Sequence, residues 1–235
     1  MKTAIITGTS SGIGKETATG ILDKNYNVIG FSRTPSGINS PYFSEVITDL
    51  TDTALLPDKI RAILKSTDID LLINNAGTGY FGPHEQLSPS MIHEMVTVNL
   101  EVPMLLSSLL LRSLKKTHGT IINVSSITAC KTDNTHGVAY GATKAGLTSF
   151  GNSLFAEVRK YGVRVINIHP DMTDTGLYRN ADFGACTEDG CSLSASDVAE
   201  IIVYAACLPE GMNMPEITIS PQFHRIMRKK TQEKP

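Results

Sequence analysis

Apolar runs of strand length alternate with longer amphipathic stretches almost from end to end of the 235 residues. The strand candidates are 3–7, 27–32, 45–48, 70–74, 120–125, 163–169 and 216–220, most of them β-branched and nearly all apolar. Strands covered on both faces read this way, because neither side of the sheet meets water. Between them the pattern predicts helices over about 12–24, 53–66, 88–112, 139–160 and 196–207. In the last of these, Ser194 to Asp197 supplies N-cap chemistry and Leu208-Pro209 closes the run. Pro57 and Pro103 fall inside helix candidates and mark a first turn or a bend. This alternation is the rhythm of a parallel sheet with helical crossovers, so the expected class is α/β, doubly wound, with helices on both faces.

No internal repeat, low-complexity block or linker divides the chain, and one domain over 1–235 is expected. The longest stretch without periodicity runs from Asp171 to Leu193; a loop of that length in a compact domain is usually functional. The closing segment His224 to Pro235 is basic and polar and reads as a solvated tail. With 41% hydrophobic residues the composition is that of an ordinary globular protein. Lys+Arg 21 against Asp+Glu 23 leaves a net charge of -2, so no overall positive field exists to hold nucleic acid or an anionic membrane. Small molecules or protein partners are expected instead. Thr7 and Gly8 interrupt the first apolar run too early for a signal peptide. No stretch approaches the ~20 apolar residues of a membrane span, so a cytoplasmic protein is expected. Cys130, Cys186, Cys191 and Cys207 form no CxxC pair and have no His at ligand spacing, so buried or incidental thiols are expected and no metal.

Strand 3–7 runs directly into Gly8-Thr9-Ser10-Ser11-Gly12-Ile13-Gly14, after which a helix begins. Glycines there let backbone N–H groups and a helix N-terminus approach a pyrophosphate closely, and the helix dipole favours its negative charge. A dinucleotide is expected on this turn. Folds that bind NAD usually place an acid at the end of the second strand to accept from the adenosine 2′-hydroxyl. Between Lys24 and Ser44 there is no Asp or Glu, and Ser32-Arg33 stands at that place. A guanidinium grips a 2′-phosphate bidentately but has no anion to neutralise on a hydroxyl. NADP(H) is therefore expected in preference to NAD(H), which stays possible.

The motifs TGTSSGIG at 7–14, NNAG at 74–77, Asn99, Ser126 and Tyr140-Gly141-Ala142-Thr143-Lys144 together resemble the short-chain dehydrogenase/reductase family, in its compact single-domain branch. The resemblance implies a Rossmann-type sheet of about seven parallel strands and a hydride transfer between the nicotinamide and a carbonyl or secondary alcohol. By the same resemblance Tyr140 is the general acid/base. Tyr140 and Lys144, four apart, project from one helix face. A phenol of ordinary pKa ≈ 10 needs about 4 kcal/mol of preferential phenolate stabilisation to work near neutrality. The Lys144 ammonium and the oxidised cofactor's charge are expected to supply it. The resemblance gives Lys144 a contact with the nicotinamide ribose. It gives Ser126 a donated hydrogen bond to the substrate oxygen, with Ser125 the competing hydroxyl, and Asn99 a water on a proton relay. It places Asn75, Ala76 and Gly77 beside the cofactor, and Asp49, with Leu50 next to it, at the adenine edge.

After strand 163–169 the family usually carries Pro-Gly and then a Thr at the nicotinamide amide. This chain has Pro170-Asp171-Met172-Thr173-Asp174-Thr175, so Pro170 and Thr175 match and Asp171 replaces the glycine. Asp171 and Asp174 lack the Glu or His neighbours of a metal site. His169 and His136 read as packing or solvent-facing residues. Substrate recognition is expected from the loop 176–195, where Leu177, Tyr178 and Phe183 are apolar while Arg179, Asp182, Glu188 and Asp189 carry charge. The resemblance also implies a homodimer or homotetramer built on helices 88–112 and 139–160. Two other readings stand beside it: a redox-sensing protein that keeps the cofactor fold without the chemistry, and an epimerase or dehydratase sharing YxxxK.

Overall fold

The computed structural model describes residues 1–131, 133–223 and 225–229. In chain order its elements are β1 (Lys2–Thr7), α1 (Gly12–Leu22), β2 (Tyr26–Ser32), β3 (Phe43–Ile47), α2 (Leu56–Leu64), β4 (Leu71–Asn74), α3 (Pro89–Val96), α4 (Val102–Thr117) and β5 (Thr120–Val124). There follow α5 (Val138–Val158), β6 (Arg164–Pro170), β7 (Phe183–Ala185), α6 (Ala195–Ala206), β8 (Glu216–Ile219) and β9 (Ile226–Arg228). Seven strands form one sheet in the order β3-β2-β1-β4-β5-β6-β8, every pair parallel. The chain builds outward from β1 to β3 and then returns to the other side of β1, so the carboxyl ends of β1 and β4 flank the reversal where α/β sheets open a ligand crevice.

Side-chain alternation along the strands feeds two cores. Ala4 and Ile6 of β1 face α1 and α6, packing with Ala18, Ile21, Val198 and Ile202. Ile5 faces the opposite way, into a core with Leu72 of β4, Leu56 of α2 and Leu106, Leu110 and Leu114 of α4. Both faces are dry, as the uninterrupted apolar strands predict. A Ser194 capping box opens α6: the hydroxyl accepts from Asp197 N–H, and Asp197 reaches back to Ser194 N–H.

One polar row crosses this apolar sheet. Register aligns Asn74, Asn123, Asn167 and Glu216 on neighbouring strands β4, β5, β6 and β8. Asn74 Nδ2 donates to Asn123 Oδ1 at 2.9 Å, Asn123 Nδ2 to Asn167 Oδ1 at 3.0 Å, and Asn167 Nδ2 to Asn152 Oδ1 of α5 at 2.8 Å. Asn152 continues the chain to Glu216 Oε1 at 2.6 Å. The row fastens α5 to the sheet, and Gly151 lets it approach: a Cβ there would lie 2.2 Å from Asn167 Oδ1. Gly151→Ala gains helix propensity but must push apart a buried polar chain that has no slack. A net loss of about 2 kcal/mol is expected, read as a midpoint lowered by roughly 4–8 °C in thermal denaturation.

The structure departs from the sequence reading at three places. The 88–112 helix is two helices joined through a π-helical turn, Thr97–Glu101, and it runs on to Thr117, with Pro103 in the first turn of the second segment. The whole run, Pro89–Thr117, spans 29 residues and is apolar enough to match a membrane span in length and composition, contrary to expectation. Its apolar side chains answer to packing: Leu106, Leu110 and Leu114 are fully buried in the second core. Finally, the loop after β6 and the basic tail form secondary structure that the sequence reading did not give them: β7 and β9 pair antiparallel, Phe183 opposite Arg228 and Ala185 opposite Ile226, while the described tail residues 225–229 are exposed as expected. Periodicity cannot reveal strands of three residues. His224 and residues 230–235 of that tail lie outside the described residues.

Candidate active site

A single groove runs across the carboxyl edge of the sheet. The glycine turn forms one end, where Gly8, Ser10, Ser11, Gly12, Ile13 and Gly14 line it at the N-terminus of α1. Gly8 sits at φ 77, and a Cβ on Gly14 would lie 2.2 Å from the Gly8 carbonyl oxygen and 2.3 Å from Asn75 Nδ2. The turn is thus folded so tightly on the NNAG segment that only hydrogen fits. Thr7, the first residue of the TGTSSGIG motif but given no role of its own by the sequence, ties the two together: its hydroxyl accepts from Asn75 N–H at 3.0 Å and Ala76 N–H at 2.9 Å, while Asn75 Nδ2 donates to Thr7 O at 2.8 Å. The first turn of α1 carries no acidic side chain, so nothing there repels an anion at the helix N-terminus.

Past the turn, Ser32, Arg33, Thr48, Asp49 and Leu50 line the groove at the ends of β2 and β3. Arg33 is exposed. Asp49 Oδ1 accepts from the Thr51 N–H and hydroxyl, both at 2.9 Å. Those bonds, helped by the Arg33 guanidinium, hold the carboxyl below its ordinary pKa against the opposing effect of partial burial. These features fit a dinucleotide: a cradle of small residues and N–H donors for a pyrophosphate, and a cation where its adenosine would end.

The other end of the groove brings together Gly77, Ser126, Tyr140, Lys144, Pro170 and Thr175. Ser126 faces the Tyr140 phenol closely enough for its hydroxyl to lower the phenol's pKa, and Ser126 Oγ accepts from Thr128 N–H at 3.2 Å. Ser125 is spent elsewhere, its hydroxyl donating to Lys144 O at 3.0 Å and meeting Thr148 Oγ1 at 2.9 Å, so it pins α5 while Ser126 faces Tyr140. Lys144 is 3% exposed, and its Nζ donates to Val124 O at 2.8 Å. Burial lowers the ammonium's pKa to about 8.

Tyr140 departs from expectation. Burial, then the neighbouring Tyr178 phenol, pushes its pKa well above the ordinary value, and the Ser126 hydroxyl only partly opposes them. The Lys144 Nζ lies 5.8 Å from the ring centroid with one of its donors engaged by Val124 O. In the protein alone desolvation wins, so the phenol carries its proton at neutral pH, the form in which it can act as an acid.

Asn99 is fully buried beside Gly77 and is not part of the groove wall. Its Oδ1 accepts from Thr78 N–H at 2.9 Å, and its Nδ2 donates to Thr78 O at 2.9 Å and Thr143 Oγ1 at 3.1 Å. The side chain therefore holds the NNAG segment against α5. Asn99 sits on the π turn, a feature that recurs at functional sites.

Asp171, in place of the expected glycine, is absent from the non-glycine positive-φ positions among the described residues, so the backbone accommodates it without strain. His169 is fully buried, its Nδ1 3.3 Å from Ser126 O and 3.4 Å from Cys130 Sγ, beneath the strand end that presents Ser126. His136 is exposed.

The loop after β6 closes over Tyr140 with an aromatic cluster that the sequence reading did not assemble. Phe81 lies 5.2 Å from Tyr140, 5.6 Å from Tyr178 and 5.4 Å from Phe183 between ring centroids. Burial and the Asp171 charge push the Tyr178 phenol up to about 12 although Thr173 N–H bonds it. Tyr178, Asp171, Arg179 and Glu94 also face the groove. Phe81 had no local signal: its place is set by packing against Tyr140, Tyr178 and Phe183, all distant in sequence.

Lys144 gives a pH-dependent stability with a definite sign. Its folded pKa of about 8 lies below the unfolded value of 10.5, so between these pH values unfolding takes up a proton. Stability therefore rises as pH climbs through that window. Tyr140, raised in the fold, opposes this only above pH 10. Relative to a Lys144→Met variant, the parent protein should gain on the order of 2 kcal/mol from pH 8 to pH 10 in denaturant titrations.

A parallel sheet whose first strand meets its first helix through a glycine turn, with a hydroxyl-bearing groove at the strand reversal, defines a nucleotide-binding oxidoreductase fold. The family model described as short chain dehydrogenase matches residues 2–183, and the chain belongs to that family. It is similar to an uncharacterized oxidoreductase of Staphylococcus epidermidis, 30% identical over 228 residues, 94% of this chain and 97% of the relative. Among solved structures it resembles an alcohol dehydrogenase from the archaeon Thermococcus sibiricus complexed with 5-hydroxy-NADP, with TM-score 0.83 and 24% identity over 96% of this chain and 98% of that one. It also resembles a 4-hydroxyisoleucine dehydrogenase complexed with NADH, with TM-score 0.82 and 22% identity over 94% and 98% of the two chains. The protein is an oxidoreductase of the short-chain dehydrogenase/reductase family with a nicotinamide-cofactor fold.

Proposed function

We propose that this chain is one cytoplasmic catalytic domain that reduces a carbonyl, or oxidises the matching secondary alcohol, with NADP(H) as its preferred cofactor. The observation that carries the reading is the meeting of the Ser126 hydroxyl, the protonated Tyr140 phenol and the Lys144 ammonium in the groove that begins at the glycine turn.

Gly8 to Gly14 and the α1 N-terminus hold the pyrophosphate, Asn75 to Gly77 border the nicotinamide half with Pro170 and Thr175, and Asp49 with Leu50 borders the adenine. Arg33 beside Ser32 selects the 2′-phosphate. The bound nicotinamide supplies or accepts the hydride. Ser126 donates to the substrate oxygen and shares its developing charge. Tyr140 delivers its proton to that oxygen in reduction and removes it in oxidation. Lys144, anchored through Val124 O, presents its remaining N–H donors to the cofactor sugar and stabilises the phenolate left behind. Asn99 keeps the NNAG segment seated. The aromatic cluster of Phe81, Tyr178 and Phe183 excludes water above Tyr140. Self-association through the α3/α4 and α5 faces, where Val96, Met104 and Val138 are exposed, completes the reading.

The test is a panel of ketones and aldehydes with NADPH, and of secondary alcohols with NADP+, followed by cofactor absorbance. Substrate-dependent loss of NADPH absorbance with the alcohol as product is expected. Tight NADPH binding with no turnover across the panel would favour a redox-sensing role instead.

A further inference from the structure

Outside the groove, among the described residues, the fold assembles one cluster of metal-ligating side chains. Cys186, Glu188 and Cys191 each present one ligand atom, and these atoms lie within 4.8 Å of one another. The two cysteines are buried, 5% and 2% exposed, while Glu188 is exposed. Backbone geometry brings them together. Immediately after β7 the chain turns back, Cys191 N–H bonding to Glu188 O at 3.1 Å across Asp189-Gly190. The Ser192 hydroxyl then donates to Cys186 O at 2.7 Å, closing the turn on its own start. The C-terminal segment locks the outside, Phe223 N–H donating to Gly190 O at 2.9 Å and Arg225 N–H to Cys191 O at 3.2 Å.

We propose that Cys186, Cys191 and Glu188 form a binding site for a thiophilic divalent cation, zinc(II), with water as the fourth ligand. Two sulfurs and one carboxylate oxygen suit zinc and disfavour magnesium or calcium, which take oxygen ligands. The spacing needs little adjustment: zinc–sulfur bonds of about 2.3 Å and zinc–oxygen bonds of about 2.0–2.2 Å place tetrahedral ligand atoms somewhat under 4 Å apart. Cys191 Sγ and Glu188 Oε2 stand 3.9 Å apart. Zinc binding displaces the two thiol protons to solvent, so the ion, two thiolates and one carboxylate carry one net negative charge. Arg225 answers it, its guanidinium 2.7 Å from Glu188 Oε2. The site is neutral with the ion as well as without it, which a buried pair of thiolates needs. Its position gives the ion leverage, because β7 connects it directly to Phe183 of the aromatic cluster. Zinc would fix the turn that follows this side of the aromatic cluster.

The test uses the tag-free, full-length protein, stripped with chelator under reducing conditions and titrated with zinc(II) against a chromogenic chelator. Cobalt(II) is added separately to read thiolate-to-metal charge-transfer absorption. One equivalent of zinc and a charge-transfer band are expected, with a raised thermal midpoint. Cys191→Ser should weaken zinc binding by at least about 100-fold, beyond the loss typical of an outer-shell partner. Glu188→Gln, at an exposed position that leaves the fold intact, should weaken it by at least about tenfold. A Cys130→Ser/Cys207→Ser protein should bind zinc as the parent does. Equal binding by parent, Cys191→Ser and Glu188→Gln overturns the proposal. So does a parent that takes up no zinc and instead yields a Cys186–Cys191 disulfide on mild oxidation.

Discussion

Replacing Tyr140 by Phe is expected to lower kcat for carbonyl reduction by about 10²–10⁴-fold, the range spanned by removal of a positioned acid. NADPH affinity should change by only a few fold, because the ring's packing survives. Phe81 stays 5.2 Å from that ring centroid, and Ser126 keeps the bond its oxygen accepts from Thr128 N–H. Single-turnover kinetics with direct titration of NADPH separates the two effects. Turnover persisting in the variant at parental rate removes Tyr140 from the chemistry and leaves the groove as a binding site alone. The same measurement bears on the proton inventory. Desolvation holds the phenol protonated in the free protein, so the parent should bind NADPH without releasing a proton from Tyr140. In the oxidative direction the positively charged nicotinamide should draw the apparent pKa of turnover down toward neutrality, an effect absent from the protein alone.

Arg33→Ala is expected to raise the Michaelis constant for NADPH by about 10–100-fold, since a charge-assisted hydrogen bond is worth about 1.5–3 kcal/mol. The constant for NADH should hardly move, because its adenosine presents no 2′-phosphate. The change falls on one cofactor and not the other, so loss of folding cannot imitate it. An NADPH constant unchanged in the variant overturns the preference argued from β2. Steady-state kinetics with both cofactors, repeated at raised ionic strength, should also show the parent's NADPH constant rising with salt more steeply than the variant's, because Arg33 is exposed and its field is screened.

Much of this fold is legible in the chain. All seven strands of the parallel sheet lie where the apolar runs place them, to within two or three residues, because strands buried on both faces carry their signal in every position. The same holds for α1, α5 and α6, whose start signals are local. What escaped was short or long-range. The β7–β9 pair has three residues in each strand and is held by partners far apart in sequence. The π turn at Thr97–Glu101 interrupts a periodic run without changing its composition.

For the site, the division follows chemical locality. Residues linked by one turn of backbone could be read directly: the glycines with the α1 N-terminus, Tyr140 with Lys144 on one helix face, and Arg33 where an acid would otherwise stand. Those depend on spacing within one element and on the charge of single side chains. Tertiary structure alone decided that Ser126 faces Tyr140 while Ser125 anchors α5, that Asn99 spends its amide on Thr78, and that Phe81, Tyr178 and Phe183 close over Tyr140. It also brought the free thiols of Cys186 and Cys191 together. Each is a choice among orientations or distant partners, set by which arrangement satisfies buried polar groups and fills space, and neither constraint exists until the sheet and helices have packed.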